Sequence, residues 1–180
     1  MKNINFKSIL INIGFIFLII SIITSISSCD TSVKVEVSND KVSEIFAKNC
    51  ETVREYEKAF CQENIDYERF YATNAIVKGT TLGAKDSMNV ADRKAAHQEM
   101  WQKYDFSMSQ PLNQLPGVSP ETKKMDGSVR MYFDITITLT ENGNSITIPM
   151  YNSFDFDDEG KILFLQYYGD LTSAFLSLEE

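Results

Sequence analysis

From Ser128 to Thr140 the chain alternates without a break, Val129, Met131, Phe133, Ile135, Ile137 and Leu139 on one side and Arg130, Tyr132, Asp134, Thr136, Thr138 and Thr140 on the other. Successive side chains of a strand point to opposite faces, so this pattern predicts a long strand with one buried face and one wet face. Asn142-Gly143 follows, where a tight hairpin turn belongs. Further strands are predicted over residues 145–157 and 161–168, joined by Asp158-Glu159-Gly160. Upstream the period is helical. Val42, Phe46, Asn49, Val53, Tyr56 and Phe60 recur at helical spacing over about 41–62, the mark of an amphipathic helix. Asn64 caps a short second helix over 65–71, residues 75–78 read as a brief strand, and 79–89 read as a loop. Asn89 caps a third helix running to about Tyr104, and Pro111, Pro116, Gly117 and Pro120 mark irregular connections. Three helices followed by an antiparallel meander predict an α+β domain, with the helices on one face of a curved sheet.

The first thirty residues carry a different message. Lys2 and Lys7 precede an apolar stretch from Ile9 to Ile23, and Ile26-Ser27-Ser28-Cys29 matches a lipobox, in which small residues let a signal peptidase cut before a cysteine that receives lipid. Asn12, Gly14, Ser21 and Thr24 interrupt the apolar stretch, leaving it shorter than the ~20 residues of a bilayer span. The expectation is therefore a lipoprotein signal over 1–28, lipidation of Cys29, a polar tether over 29–40, and a domain over 41–180 in the envelope of a bacterium, outside the cytoplasm. Which membrane holds the anchor is left open.

Loss of Lys2 and Lys7 with the signal leaves 15 of 17 basic residues against 25 acidic ones, a balance of −10. Nucleic acid is an unsuitable partner for so acidic a chain, because phosphate recognition needs a basic surface. The membrane contact is then the lipid itself. Cys50 and Cys61 stand 11 residues apart on the first predicted helix, roughly 16 Å along its axis. A disulfide needs Cα atoms within about 7 Å, so two free, buried thiols are expected. Asp155 to Gly160 resembles the start of a calcium loop, but the twelfth position falls on Gln166 and strands flank it, so an acidic turn is the reading. No metal and no cofactor is expected: zinc spacing, a serine elbow and a phosphate loop are all missing from the sequence.

Glu63-Asn64-Ile65-Asp66, then Phe70-Tyr71-Ala72-Thr73-Asn74-Ala75 running into a strand, and the closing Phe154-Asp155-Phe156-Asp157-Asp158-Glu159-Gly160-Lys161-Ile162 before Gln166-Tyr167-Tyr168 together resemble the NTF2-like superfamily. The resemblance covers Val42 to about Ala174. That superfamily includes SnoaL-type polyketide cyclases, ketosteroid isomerases, dehydratases, epoxide hydrolases and non-enzymatic binding domains. It implies a cone-shaped α+β barrel, a pocket between sheet and helices, and often a dimer through the outer sheet face. Carried over residue by residue, the isomerase pattern of base, tyrosine and protonated acid puts Gly79 at the base, Tyr56 at the tyrosine and Asn152 at the acid donor. Two hydrogen-bonding groups survive and the base does not.

His97, the only histidine of the chain, shares a helical face with Met100, Trp101 and Tyr104. As a functional group it would be the acid or base at the pocket mouth; the preferred reading is a packed histidine bonded within the core. Val129, Met131, Phe133, Ile135 and Ile137 are expected to face the helices with Met150, Asn152, Phe154 and Phe156. On the last strand, apolar on both sides, the resemblance turns Leu163, Leu165 and Tyr167 inward and leaves Phe164, Gln166 and Tyr168 outward, where Phe164 and Tyr168 suit a homodimer interface. Two functions follow. The preferred one is a lipid-anchored module binding a small apolar ligand or a protein, its pocket lined by Tyr56, Phe60, Tyr71, Trp101, Phe133, Asn152 and Tyr167. The other is a SnoaL-like isomerase, lyase or hydrolase on a small hydrophobic substrate, with Tyr56, His97 and Asn152 as its polar groups.

Overall fold

The computed structural model describes residues 32–83 and 85–180, with side chains from Lys41 onward. The signal segment, the lipobox and Cys29 lie outside the described residues. No described helix is long and apolar enough to cross a membrane.

Helix α1 spans Ser32–Cys61. It begins before Lys41 because residues 32–40, expected as a tether, contain neither glycine nor proline to stop it. Within the compact unit Lys41–Glu180, Asn49, Cys50, Val53, Tyr56, Glu57 and Phe60 are its buried residues. Their spacing is one helical stripe. Helix α2 is shorter than expected, Tyr67–Phe70, because Asp66 takes the capping position and accepts from Arg69 N at 3.1 Å. Tyr71 is already extended, so strand β1 runs Tyr71–Lys78 rather than from residue 75.

Helix α3 spans Val90–Trp101, capped by Asn89, which accepts from Asp92 N at 2.8 Å. It stops three residues before the expected end. Tyr104 opens strand β2, Tyr104–Met108, and strand β3, Asn113–Val118, follows. Strand β3 falls where irregular connections were expected. Pro116 within it is tolerated because β3 is an edge strand, paired only with β4.

Strand β4, Met125–Leu139, is long enough to serve two neighbours in tandem: β3 along its first half and β2 along its second. Strand β5, Ser145–Phe156, lies along its other edge, in register from Val129↔Phe154 to Thr138↔Ser145. The connecting loop is five residues rather than two, with Gly143 at φ 76° donating to Leu139 O at 2.8 Å, a conformation glycine adopts without steric cost. Strand β6, Ile162–Tyr168, pairs antiparallel with β5 and parallel with β1. The sheet order is β1-β6-β5-β4-β2, with β3 beside β4. In the acidic turn the Asp157 carboxylate accepts from Glu159 N and Lys161 N at 3.0 and 2.9 Å.

The alternation on β4 is realised: Val129, Met131, Phe133, Ile135, Ile137 and Leu139 are all buried. On β6 one position differs. A register shift between Asp155 and Phe156 carries the pairing from Phe164 to Ile162, so Ile162 is buried and Leu163, expected inward, is half-buried. A last helix, α4, spans Leu171–Glu179 and went unanticipated, although Asp170 caps it and Leu171, Ala174, Phe175 and Leu178 follow helical spacing. Cys50 and Cys61 are free thiols, the first buried and the second half-buried.

Candidate functional site

A cavity of about 160 Å³ opens inside the domain. Phe106, Met108, Phe133, Ile135, Met150 and Leu165 form its strand side, Phe60 its α1 side, and Leu171 and Phe175 of α4 close it from the far side. Five polar residues interrupt this apolar wall, namely Tyr56, Glu57, Arg93, Asn152 and Tyr167, with Thr81 reaching in from the loop after β1.

Glu57 is the most consequential of them. It is only 4% exposed, and its Oε1 accepts from Asn152 Nδ2 at 3.0 Å. Burial pushes its pKa up to about 7, against the opposing pull of the Asn152 bond and the Arg93 charge. A carboxyl poised there holds or releases a proton near neutral pH with little driving force either way. Glu57 also borders an outer groove shaped by Arg54, Lys58, Cys61 and Ser107, so it faces a surface depression as well as the cavity. The Oδ1 of Asn152 has no partner among the described residues.

Tyr56 stands beside Glu57 on α1 and is buried. Its oxygen accepts from the Tyr71 hydroxyl at 2.7 Å, and the Arg93 charge acts on it from nearby. A phenol has one proton and two lone pairs; Tyr71 takes one lone pair, so the proton of Tyr56 is left to a cavity occupant. Burial raises the pKa of Tyr56, and of Tyr71 still further, so both remain phenols. Arg93 packs across the Tyr167 ring, 4.7 Å from its centroid.

Of the pocket residues named from the sequence, Tyr56, Phe60, Phe133, Asn152 and Tyr167 line the cavity, whereas Tyr71 and Trp101 do not. Tyr71 lies behind Tyr56, its ring edge-on at 5.6 Å. Trp101 packs on Phe60 and His97. Of the three candidate catalytic groups, the fold brings together Tyr56 and Asn152. His97 is fully buried away from the cavity, its Nδ1 sharing a 2.7 Å hydrogen bond with the Tyr67 hydroxyl and its ring among Phe60, Tyr67 and Trp101. Burial, reinforced by the Arg93 charge, lowers its pKa to about 2, so it stays neutral. Tyr104, expected on the same helical face, instead donates to Glu179 at 2.8 Å and packs on Phe175.

Gly79 explains its own lack of a side chain. A Cβ built there would meet the Tyr167 hydroxyl at 2.2 Å, so a tyrosine from β6 fills the space in which a side chain from residue 79 would stand. Glu57 and Arg93 were missed by sequence reasoning, which assigned charges to solvent. The signal was present: Glu57 lies four residues after Val53 and three before Phe60, and Arg93 lies three after Val90 and four before His97. Among the described residues no group of three or more His, Cys, Asp or Glu side chains is arranged to hold a metal ion.

No family model matches the sequence, and no curated protein matches it significantly. Solved structures do resemble it. An NTF2-like protein of Burkholderia xenovorans superposes at a TM-score of 0.57 and 12% identity, over 74% of this chain and 97% of the other. A proposed polyketide cyclase of Xanthomonas campestris pv. campestris gives 0.57 at 17% identity, over 74% and 98%. An epoxide hydrolase of M. tuberculosis gives 0.52 at 14% identity, over 74% and 90%. At these identities the likeness speaks for architecture alone, and the architecture is the NTF2-like α+β cone.

Proposed function

We propose that the cone is the active site of an acid–base enzyme, an isomerase, lyase or hydrolase acting on a small, largely apolar molecule that carries an electrophilic oxygen group. The observation that carries this reading is Glu57: a buried carboxyl on the wall of an apolar cavity, held by Asn152 and balanced near neutral pH. In this reading Glu57 takes or gives the proton, Tyr56 donates its hydroxyl proton to the substrate oxygen, and Asn152 orients Glu57. The outer groove gives Glu57 a route for exchanging its proton with water between turnovers. Proteins of the same architecture described as an epoxide hydrolase and a proposed polyketide cyclase support small-molecule acid–base chemistry as the class.

The test is a panel of small epoxides and cyclic ketones incubated in D₂O and followed by NMR for hydrolysis, isomerisation or deuterium exchange. Wild-type protein is expected to turn over at least one class, with a rate that changes through about pH 7. Glu57→Gln is expected to lose about 10²–10⁴-fold in kcat while binding the same compounds. Equal rates for the two proteins would overturn the reading.

A second reading, a binding module without chemistry, draws its support from Gly79, where Tyr167 takes the space of a strand-borne base. We also propose, from the lipobox, that Cys29 carries a lipid holding the domain to an envelope membrane. Cys29→Ser should then move the protein from the membrane to the soluble fraction of its host. A homodimer through the outer sheet face is proposed from the outward row Tyr132, Tyr151 and Tyr168, which sit opposite one another on β4, β5 and β6. Sedimentation at micromolar concentration should give twice the monomer mass.

A further inference from the structure

Arg93 is the one basic side chain on the cavity wall. Arg93 is half-buried; a guanidinium cannot shed its charge in a protein, and drawing one out of water without a carboxylate partner is unfavourable. Yet among the described residues no Asp or Glu oxygen lies within ion-pair distance of it, and its Nε is buried without an acceptor. Its known neighbours are neutral: the Tyr56 hydroxyl and the face of the Tyr167 ring. Glu57, the one carboxyl on the same wall, stands beyond ion-pair distance and is held by Asn152. The cavity wall therefore carries a permanent positive charge without a carboxylate partner, together with Phe106, Phe133, Met150 and Leu165.

We propose that the natural ligand is a small apolar carboxylic acid, bound with its carboxylate on Arg93 and its hydrocarbon body against the aromatic and aliphatic wall. This rests on reading the cavity as a small-molecule site and narrows the substrate class. A carboxylate matches the planar fork of a guanidinium with two parallel hydrogen bonds. The cavity volume of about 160 Å³ sets the size, since a cavity of about 150 Å³ accepts a benzene ring. Packing across Tyr167 fixes the guanidinium plane, so the carboxylate would fix the orientation of the ligand relative to Glu57 and Tyr56.

Benzoate and benzamide are matched probes, alike in shape and different in charge, and acetate tests the charge without the apolar body. By calorimetry, benzoate is expected to bind wild-type protein at least about tenfold tighter than benzamide and acetate, a difference typical of one charge-assisted hydrogen-bonded pair. In Arg93→Gln the preference for benzoate over benzamide should vanish, and in Arg93→Lys a reduced preference should persist. Where Arg93→Gln does not fold, loss of the benzoate preference at high salt in wild-type protein serves as the second measurement. Benzamide binding as tightly as benzoate would overturn the carboxylate assignment while leaving the cavity a small-molecule site. Failure of all three probes to bind would overturn the assignment and the site together.

Discussion

Two buried titratable groups of this molecule, Glu57 on α1 and His97 on α3, have met opposite fates. Each lies on the inner side of its helix and each is almost sealed from bulk water. Glu57 borders a cavity and a groove, holds one hydrogen bond, and is shifted to the edge of titration at neutral pH. His97 borders neither; it is walled by Phe60, Tyr67 and Trp101, and its proton affinity is driven so low that it does not titrate while the protein is folded. Burial alone therefore does not make a functional group. The difference lies in whether empty space is left beside the group for something to react.

The largest effect that separates the two is expected from His97→Ala. Removing a fully buried ring from an aromatic cluster leaves a void and strands the Tyr67 hydroxyl, which should cost about 3–5 kcal/mol, read as a lowered urea midpoint with unchanged m-value. Activity per folded molecule should survive. Loss of turnover at full stability would reverse the assignment of His97 to packing. The wild-type pH profile carries the same signature: below the usual histidine pKa of about 6.5 the unfolded chain binds a proton that the folded chain refuses, so His97 lowers stability as the medium becomes acidic.

Glu57 acts with the opposite sign. Its folded pKa of about 7 lies above the ordinary 4.5, so between those values the unfolded state releases a proton that the folded state keeps, and stability falls as pH rises. The full penalty, about 3 kcal/mol for a shift of this size, is present above neutral pH and absent below about pH 4. Glu57→Gln should thus stabilise the protein by up to about 3 kcal/mol at pH 8 and not at pH 4, while losing turnover. A variant that gains stability as it loses activity is the behaviour of a group kept for chemistry. Equal urea midpoints for the two proteins at pH 8 would mean that Glu57 is not held in a charge-disfavouring site.

The contrast also explains what could be read from the sequence. The β4 alternation and the α1 stripe are local periodicities, and they located the sheet face, the helix face and Tyr56, Phe60 and Phe133 of the cavity, whereas Asn152 and Tyr167 were placed by the family resemblance. Strand β2 is short and β3 carries Pro116, and both become strands because β4 is long enough to pair both. Glu57 and Arg93 were hidden by their charge: spacing placed them on inner stripes, but only the cavity supplies a reason to keep them there. That Tyr167 would occupy the space beside Gly79 follows from the pairing of β6 with β1 and β5, information that no window of residues contains.

The smallest effect that sharpens the comparison concerns the tyrosine pair behind Glu57. Tyr71 donates to Tyr56 at 2.7 Å. Tyr71→Phe removes that donor and leaves Tyr56 a hydroxyl that still has its own proton, so the expected loss is about 1 kcal/mol. Tyr56→Phe removes the acceptor and leaves the buried Tyr71 hydroxyl unsatisfied, with an expected loss of about 1–3 kcal/mol as well as the donor offered to the substrate. The inequality follows from the direction of the bond, which points at Tyr56. Were Tyr71→Phe to cost as much as Tyr56→Phe, the proton of Tyr56 would be engaged by its neighbour, and the cavity would lose the hydroxyl donor on which the acid–base reading relies.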